Sequence, residues 1–544
     1  TNGTDEHING GIYAHDGATS NNPSMATTIT IAGTIAGVKA SGLIATSGAT
    51  INFNNASNFI TTDTTEGTIA NVDGIYATDN GSTVTMTDGT INITGTNQVN
   101  GVHAVAGSKV TLSNLGENFT VAASGSGTVS GVTAVGTDTT VVLNGTNLNK
   151  ITGVNGKATV LEGSDSAQIL TTFDDTNNTS KEIKVEATGT GNATAISATS
   201  GANITSKNVK GITVLADATG TATGIISTGT GSTVTVNEAT DTNMGTMTVT
   251  STEGAAAGVV ATNASKNNIY GYDNITVTGA TTTDGVKADG IDSVNTIVMN
   301  GTLTATGGSG ATTAVSAINE GTDNITGVTS ISAKSAGAGA VNGIASDNGM
   351  VKVYQADGSS VVLVTAESTG SGDVTAVSAS NNGTIENVSN VTATANSGSA
   401  YGVTLGAGTN TVKTINNIIA TTTSGAYAIG VNATAGTNNL DVAGNVETTN
   451  NGTTGKSAGI NNADSATLTT TVSGYIKATS NATGNTAAAA VNSSSSGDTT
   501  VTVIGTTTAE APNGDVSVTN NTGTGNVILN AGDAAGVEAE AQAD

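Results

Sequence analysis

Apolar and polar residues alternate along most of the chain in short bursts, separated by Gly, Asn, Asp and Ser. This is the period-2 pattern of half-buried β-strands bounded by turns. One phrase recurs: Gly, then an aliphatic residue, any residue, and Ala or Ser. It reads Gly74-Ile75-Tyr76-Ala77, Gly101-Val102-His103-Ala104, Gly285-Val286-Lys287-Ala288 and Gly430-Val431-Asn432-Ala433. From residue 285 it starts at 285, 314, 343, 376, 402, 430 and 459, so six steps cover 174 residues and the mean spacing is 29.

A second phrase follows the first: Gly, a small polar residue, then alternating Val and Thr. Examples are Gly81-Ser82-Thr83-Val84-Thr85, Gly107-Ser108-Lys109-Val110-Thr111, Gly231-Ser232-Thr233-Val234-Thr235 and Gly408-Thr409-Asn410-Thr411-Val412. A third strand closes each unit, as in Ile91-Asn92-Ile93 and Ile275-Thr276-Val277. Three short strands cannot bury their apolar faces alone. They do so when bent into a triangle on which the next coil stacks. The pattern therefore predicts an all-β chain, a right-handed parallel β-helix of three sides and about 16–18 coils. At ~4.8 Å per coil the stack would reach roughly 80 Å. Ile75, Val102, Val286 and Val431 should form one inward column, and Val84, Val110, Val234 and Val412 another. A single elongated β-helix is expected over 1–530. Between 131 and 224 only Ala195-Ile196 keeps the phrase clearly, which predicts a longer turn or insertion around 155–195. Residues 531–544, rich in Ala and Glu, are expected to be a tail or linker, either helical or unstructured.

Composition sharpens this. Aromatic residues are 2% of the chain, Trp is absent and Gly occurs 73 times, which suits narrow cores of stacked Val, Ile and Ala rather than a compact globule. Charged residues are 10%, yet the net charge is −26, and every basic residue is Lys. That balance argues against nucleic acid as a partner. Without Cys, the fold has to be held by its repeat, as in a chain exported without disulfides. No apolar run reaches membrane-span length, and no signal peptide precedes Thr1, as expected of a processed protein or a fragment.

The two phrases, as they stand at 74–85 and 101–111 and again along most of the chain, resemble the passenger domains of autotransporter adhesins, the pertactin-like and diffuse-adherence-like family of Gram-negative outer surfaces. The resemblance implies a secreted passenger displayed at the outer membrane, acting as an adhesin or stalk and binding protein or glycan on a host or neighbouring cell. It also implies a C-terminal barrel, for which no lipid-facing strands are found in this sequence. The alternative is a structural subunit of a surface layer or extracellular filament, with end-to-end self-association through exposed strand edges.

Candidate chemistry is sparse, and no catalytic residue, cofactor or metal site is expected. The mid-chain acidic pair Asp174-Asp175 beside Phe173 reads as a solvated turn rather than a glycosidase pair. His7 and His15, near Asp5, Glu6 and Asp16, match no metal spacing and read as a solvated cap. His103 is the third histidine. Ice binding would need unbroken Thr-x-Thr ladders. Thr83-Val84-Thr85 and Thr233-Val234-Thr235 fit, but Lys109, Asn203 and Asp441 interrupt them. Asn-x-Thr triplets such as Asn118-Phe119-Thr120 and Asn274-Ile275-Thr276 permit glycosylation without arguing for it. With eight Tyr and four Phe scattered singly, a sugar-stacking groove is hard to assemble.

Overall fold

The structure is a computed structural model that describes residues 7–21, 27–32, 39–63, 69–173, 181–240, 245–355, 362–531 and 537–540. The described residues form strands and turns, with no helix, stacked as a parallel β-solenoid with three strands per coil. Two compact units are resolved, Thr1–Asp273 and Asn274–Asp544.

In the first unit, the first face is a ladder of nine strands from His7–Ala14 to Ala256–Thr262. The Gly-aliphatic phrase lies at its centre. Ile12, Leu43, Ile75, Val102, Val132, Leu161, Ile196, Ile225 and Val259 follow one another in parallel register. Ile75 and Val102 are fully buried. The second face carries Val84, Val110, Val141, Ile169, Ile204 and Val234 in one column, all fully buried. Leu161 and Ile196 stand 35 positions apart (196 − 161), against 29 between Val132 and Leu161 (161 − 132). The strands Ala158–Ser164 and Gln168–Thr172 keep the ladder through this stretch, with Leu161 in the aliphatic column. The phrase fades there because Val160-Leu161-Glu162-Gly163 reverses its small and bulky residues, while the backbone stays in register.

The second unit repeats the plan with nine first-face strands from Thr283–Asp289 to Gly514–Asn521. Val286, Val315, Ile344, Val377, Val403, Val431, Ile460 and Val491 are successive register partners. On its second face Val351, Ile385, Val412 and Leu440 form the inward column. Val286, Val412 and Val431 are buried. Removing one Val or Ile side chain from water is worth about 1.5–3 kcal/mol, and each coil contributes several. The acidic tail holds no helix among its described residues. Val537–Glu540 pairs in parallel with Thr507–Glu510, so this segment adds a strand to the third face. Pairing offers its backbone ready partners, which outweighs the helix preference of Ala and Glu.

The two glycine phrases have different causes. Gly81, Gly107, Gly231, Gly408 and Gly436 turn the first corner with φ between 75° and 84°, a left-handed conformation that costs other residues energy. A polar side chain one or two positions after the glycine bonds to nearby backbone at several of these corners. Ser108 Oγ donates to the Ala77 carbonyl at 2.9 Å and Ser232 Oγ to the Thr228 carbonyl at 2.7 Å. Gly430, in the other phrase, is there for space: a Cβ would sit 2.3 Å from Val446 Cγ1 and 2.5 Å from the Gly459 carbonyl oxygen of the next coil.

Candidate functional site

The outer side of the first face carries the most chemistry, and it differs between the units. In the first unit a buried carboxylate lies at its centre. Asp73 has no exposed surface and accepts from Asn100 Nδ2 at 2.7 Å. His103 Nδ1 stands 3.5 Å from its other oxygen, and the His103 ring tilts against Tyr76 at 5.4 Å. The ladder explains the meeting, since Asp73 pairs with Asn100 and Tyr76 with His103 across adjacent coils. Farther along, Ser130 Oγ donates to Glu162 at 3.2 Å and Glu162 pairs with Lys157.

In the second unit the same face is hollowed into a groove of about 430 Å³. The cause is a taper in side-chain size. Tyr401, Ile429, Ala458 and Ala489 are register partners, so the floor drops where Tyr and Ile give way to Ala. Beside this floor runs a ladder of amides, Asn432, Asn461, Asn492 and Asn520, again in register. Asn461 Nδ2 donates to Asn432 Oδ1 at 2.7 Å, Asn492 to Asn461 at 2.6 Å, and Asn520 to Asn492 at 2.7 Å. Each of these bonds fixes one side chain, so the row is rigid before any ligand arrives.

Tyr427, 43% exposed, and Lys456 are register partners, and both line the groove. Burial pushes the Tyr401 hydroxyl above its ordinary pKa, with Asp373 and Tyr427 acting in the same direction and a hydrogen bond with Ser399 opposing them. Tyr401 therefore stays a neutral donor over the physiological range. Among the described residues, Lys456 is the one formally charged residue lining the groove.

The residues weighed from the sequence lie elsewhere. Phe173 is buried, and Asp174 and Asp175 lie outside the described residues. His7 is in the strand His7–Ala14, while Asp5 and Glu6 lie outside the described residues. His15 Nδ1 contacts Asp16 at 2.8 Å and its ring stacks on Tyr13 at 5.2 Å, so its partners are a neighbour in sequence and a surface aromatic. Among the described residues no group of three or more His, Asp or Glu is arranged to hold a metal ion. The expectation that tyrosines stay scattered fails at one place. Tyr401 and Tyr427 are 26 positions apart (427 − 401), close to one coil, and line a single groove. That signal was present in the repeat spacing, as was the row of Asn at the third position of successive phrases. No family model, curated protein or solved structure matches this chain.

Proposed function

We propose that the protein is a secreted or cell-surface bacterial β-solenoid that acts as an adhesin, with the groove of the second unit as its contact surface. The observation that carries this is the groove itself: a rigid row of amides and two tyrosines on an outer face, where a solenoid needs only polar cover. Outer positions of parallel coils are satisfied by water, so nothing in folding requires Asn432, Asn461, Asn492 and Asn520 to coincide with Tyr401 and Tyr427. The absence of Cys and the surplus of acidic residues favour a chain that folds outside the cell and stays soluble there. Adhesion also fits a repeat architecture, which spreads binding groups along a face instead of converging them on one bond.

The test is attachment of beads coated with the full chain to epithelial and bacterial cells. Coated beads should adhere above uncoated ones to at least one cell type, and free protein should compete. Tyr427→Ala, which alters an exposed rim side chain, should cut adhesion by about tenfold or more. Beads that adhere no better than uncoated controls to any cell would overturn the reading.

A further inference from the structure

We infer that the groove of the second unit takes a linear, neutral glycan laid along the stacking direction, with successive sugars read by successive rungs of the Asn432–Asn520 ladder. This rests on the adhesin reading and names its ligand.

The hydrogen-bond inventory of the ladder matches a sugar. A primary amide has two N–H groups and an oxygen with two lone pairs. In the ladder, Asn461 and Asn492 each spend one N–H on the preceding coil and one lone pair on the following one. Each keeps one donor and one acceptor. A sugar hydroxyl is itself a donor and an acceptor, so the unspent groups match a pair of neighbouring hydroxyls. The period of the ladder matches as well. Coils rise about 4.8 Å, comparable with the length of one pyranose in an extended chain, so the match can repeat from rung to rung.

The floor and rim suit a sugar ring too. Ala458 and Ala489 leave room for a ring, and Tyr401 and Tyr427 offer aromatic surface for its apolar C–H face, with a hydroxyl to bind its edge. Charge decides against an acidic glycan. Lys456 is the single cation among the described residues lining the groove, the chain's net charge is −26, and no arginine fork is available for a row of carboxylates. An extended peptide is disfavoured because peptides added to sheets bind at open edges through the backbone. Here the face is presented, and its central strands are paired on both sides: Tyr427–Ala433 with Ala400–Leu405 and Lys456–Asn462, and Lys456–Asn462 also with Gly484–Ser493.

The experiment is a binding titration of the full chain with fluorescent oligosaccharides of two to about six units. The panel holds neutral glucose, galactose and N-acetylhexosamine oligomers, with uronic-acid oligomers and an extended polar peptide as comparators. Affinity for at least one neutral series should rise with length and level off near four units, one per rung. Asn461→Ala should weaken binding at least about tenfold and shorten the useful length. Tyr427→Ala should weaken it without altering the thermal melt, which guards against a ladder variant that merely misfolds. Lys334→Ala, on the third face, should change nothing.

Binding confined to uronic-acid oligomers, to the peptide or to no probe would overturn the inference. Its failure is separable from failure of the adhesin reading. Beads that still adhere after glycosidase treatment of the target cells would leave adhesion standing and remove the glycan. Beads that never adhere would remove both.

Discussion

Asp323 carries an ionisable group into a column that Val351, Ile385 and Val412 otherwise fill. It is fully buried beside Asn295, whose Nδ2 donates to it at 2.8 Å and also to the Lys287 carbonyl at 2.8 Å. Burial pushes its pKa up to about 8, against the opposing hydrogen bonds from Asn295 and the Ala288 backbone. The consequence for stability has a definite sign. Below the ordinary value of 3.8 both folded and unfolded chains hold the proton. Between there and about 8 only the folded chain holds it, so this group's contribution falls with rising pH by about 1.4 kcal/mol per unit, then levels off. Asp323→Asn keeps the shape and removes the titration. Its melting temperature minus that of the parent should grow from pH 4 to pH 8 and stay constant above. A difference independent of pH would show that Asp323 does not titrate in the core. This residue was legible in the sequence by parity, since Asp323 shares its phase with Ile325. The aliphatic signature misses it because it counts hydrophobic residues, whereas a solenoid interior also accepts polar side chains that bond along the stack. Asn432, Asn461 and Asn492 escape for a related reason: an outward Asn looks like ordinary surface until the register places it beside the next.

A coil is the unit of both folding and failure. Ile344 is fully buried between Val315 and Val377, one coil to either side. Truncation to Ala should cost about 2–5 kcal/mol, because a column locked by its neighbours cannot close over the cavity. In a solenoid that cost is local, since each coil touches only those adjacent to it. Amide exchange in Ile344→Ala should therefore accelerate first in strands Thr312–Ile318, Val341–Asp347 and Val374–Ser380, with strands near Ile75 unaffected. Uniform acceleration through both units would mean that the coils unfold as one body. The repeat was readable at this scale because most coils place glycine at a left-handed corner, at a close backbone approach, or at both, and those requirements recur with the coil. Coil length was less readable. The ladder stays in register while coil length varies: Val377 to Val403 takes 26 positions (403 − 377) and Ile344 to Val377 takes 33 (377 − 344). Corners also vanish locally: Val294–Gly307 runs as one strand that pairs with both Thr322–Thr326 and Ser330–Ser335, where the sequence pattern implies two strands. The groove was the least readable feature, because concavity comes from the size of neighbours in four adjacent coils and no single coil displays it.

Across the whole molecule, charge is unbalanced: 41 acidic residues stand against 15 Lys. Many of the Lys are already committed between coils. Lys334 pairs with Glu367 at 3.4 Å, Lys477 with Glu510 at 2.9 Å, and Glu386 lies between Lys352 at 3.9 Å and Lys413 at 3.2 Å. Such exposed pairs contribute about 0–1 kcal/mol each and weaken with salt. The surplus acids act in the opposite direction. Stacking brings like positions of adjacent coils to about 4.8 Å, well inside the roughly 10 Å screening length at 0.1 M salt, so uncompensated carboxylates repel within one coil and across several. Unfolding separates them, and the folded state therefore bears the larger repulsion. With 26 charges unpaired in the net, screening that repulsion should outweigh the loss of a few surface pairs. The melting temperature at neutral pH should rise as sodium chloride goes from about 10 mM to about 150 mM and flatten once the screening length approaches the coil spacing. Potassium chloride should act equally, since screening depends on ionic strength and not on the identity of the ion. A melting temperature that falls steadily with salt would mean that the cross-coil ion pairs, and not the acidic surplus, dominate the electrostatics of this solenoid.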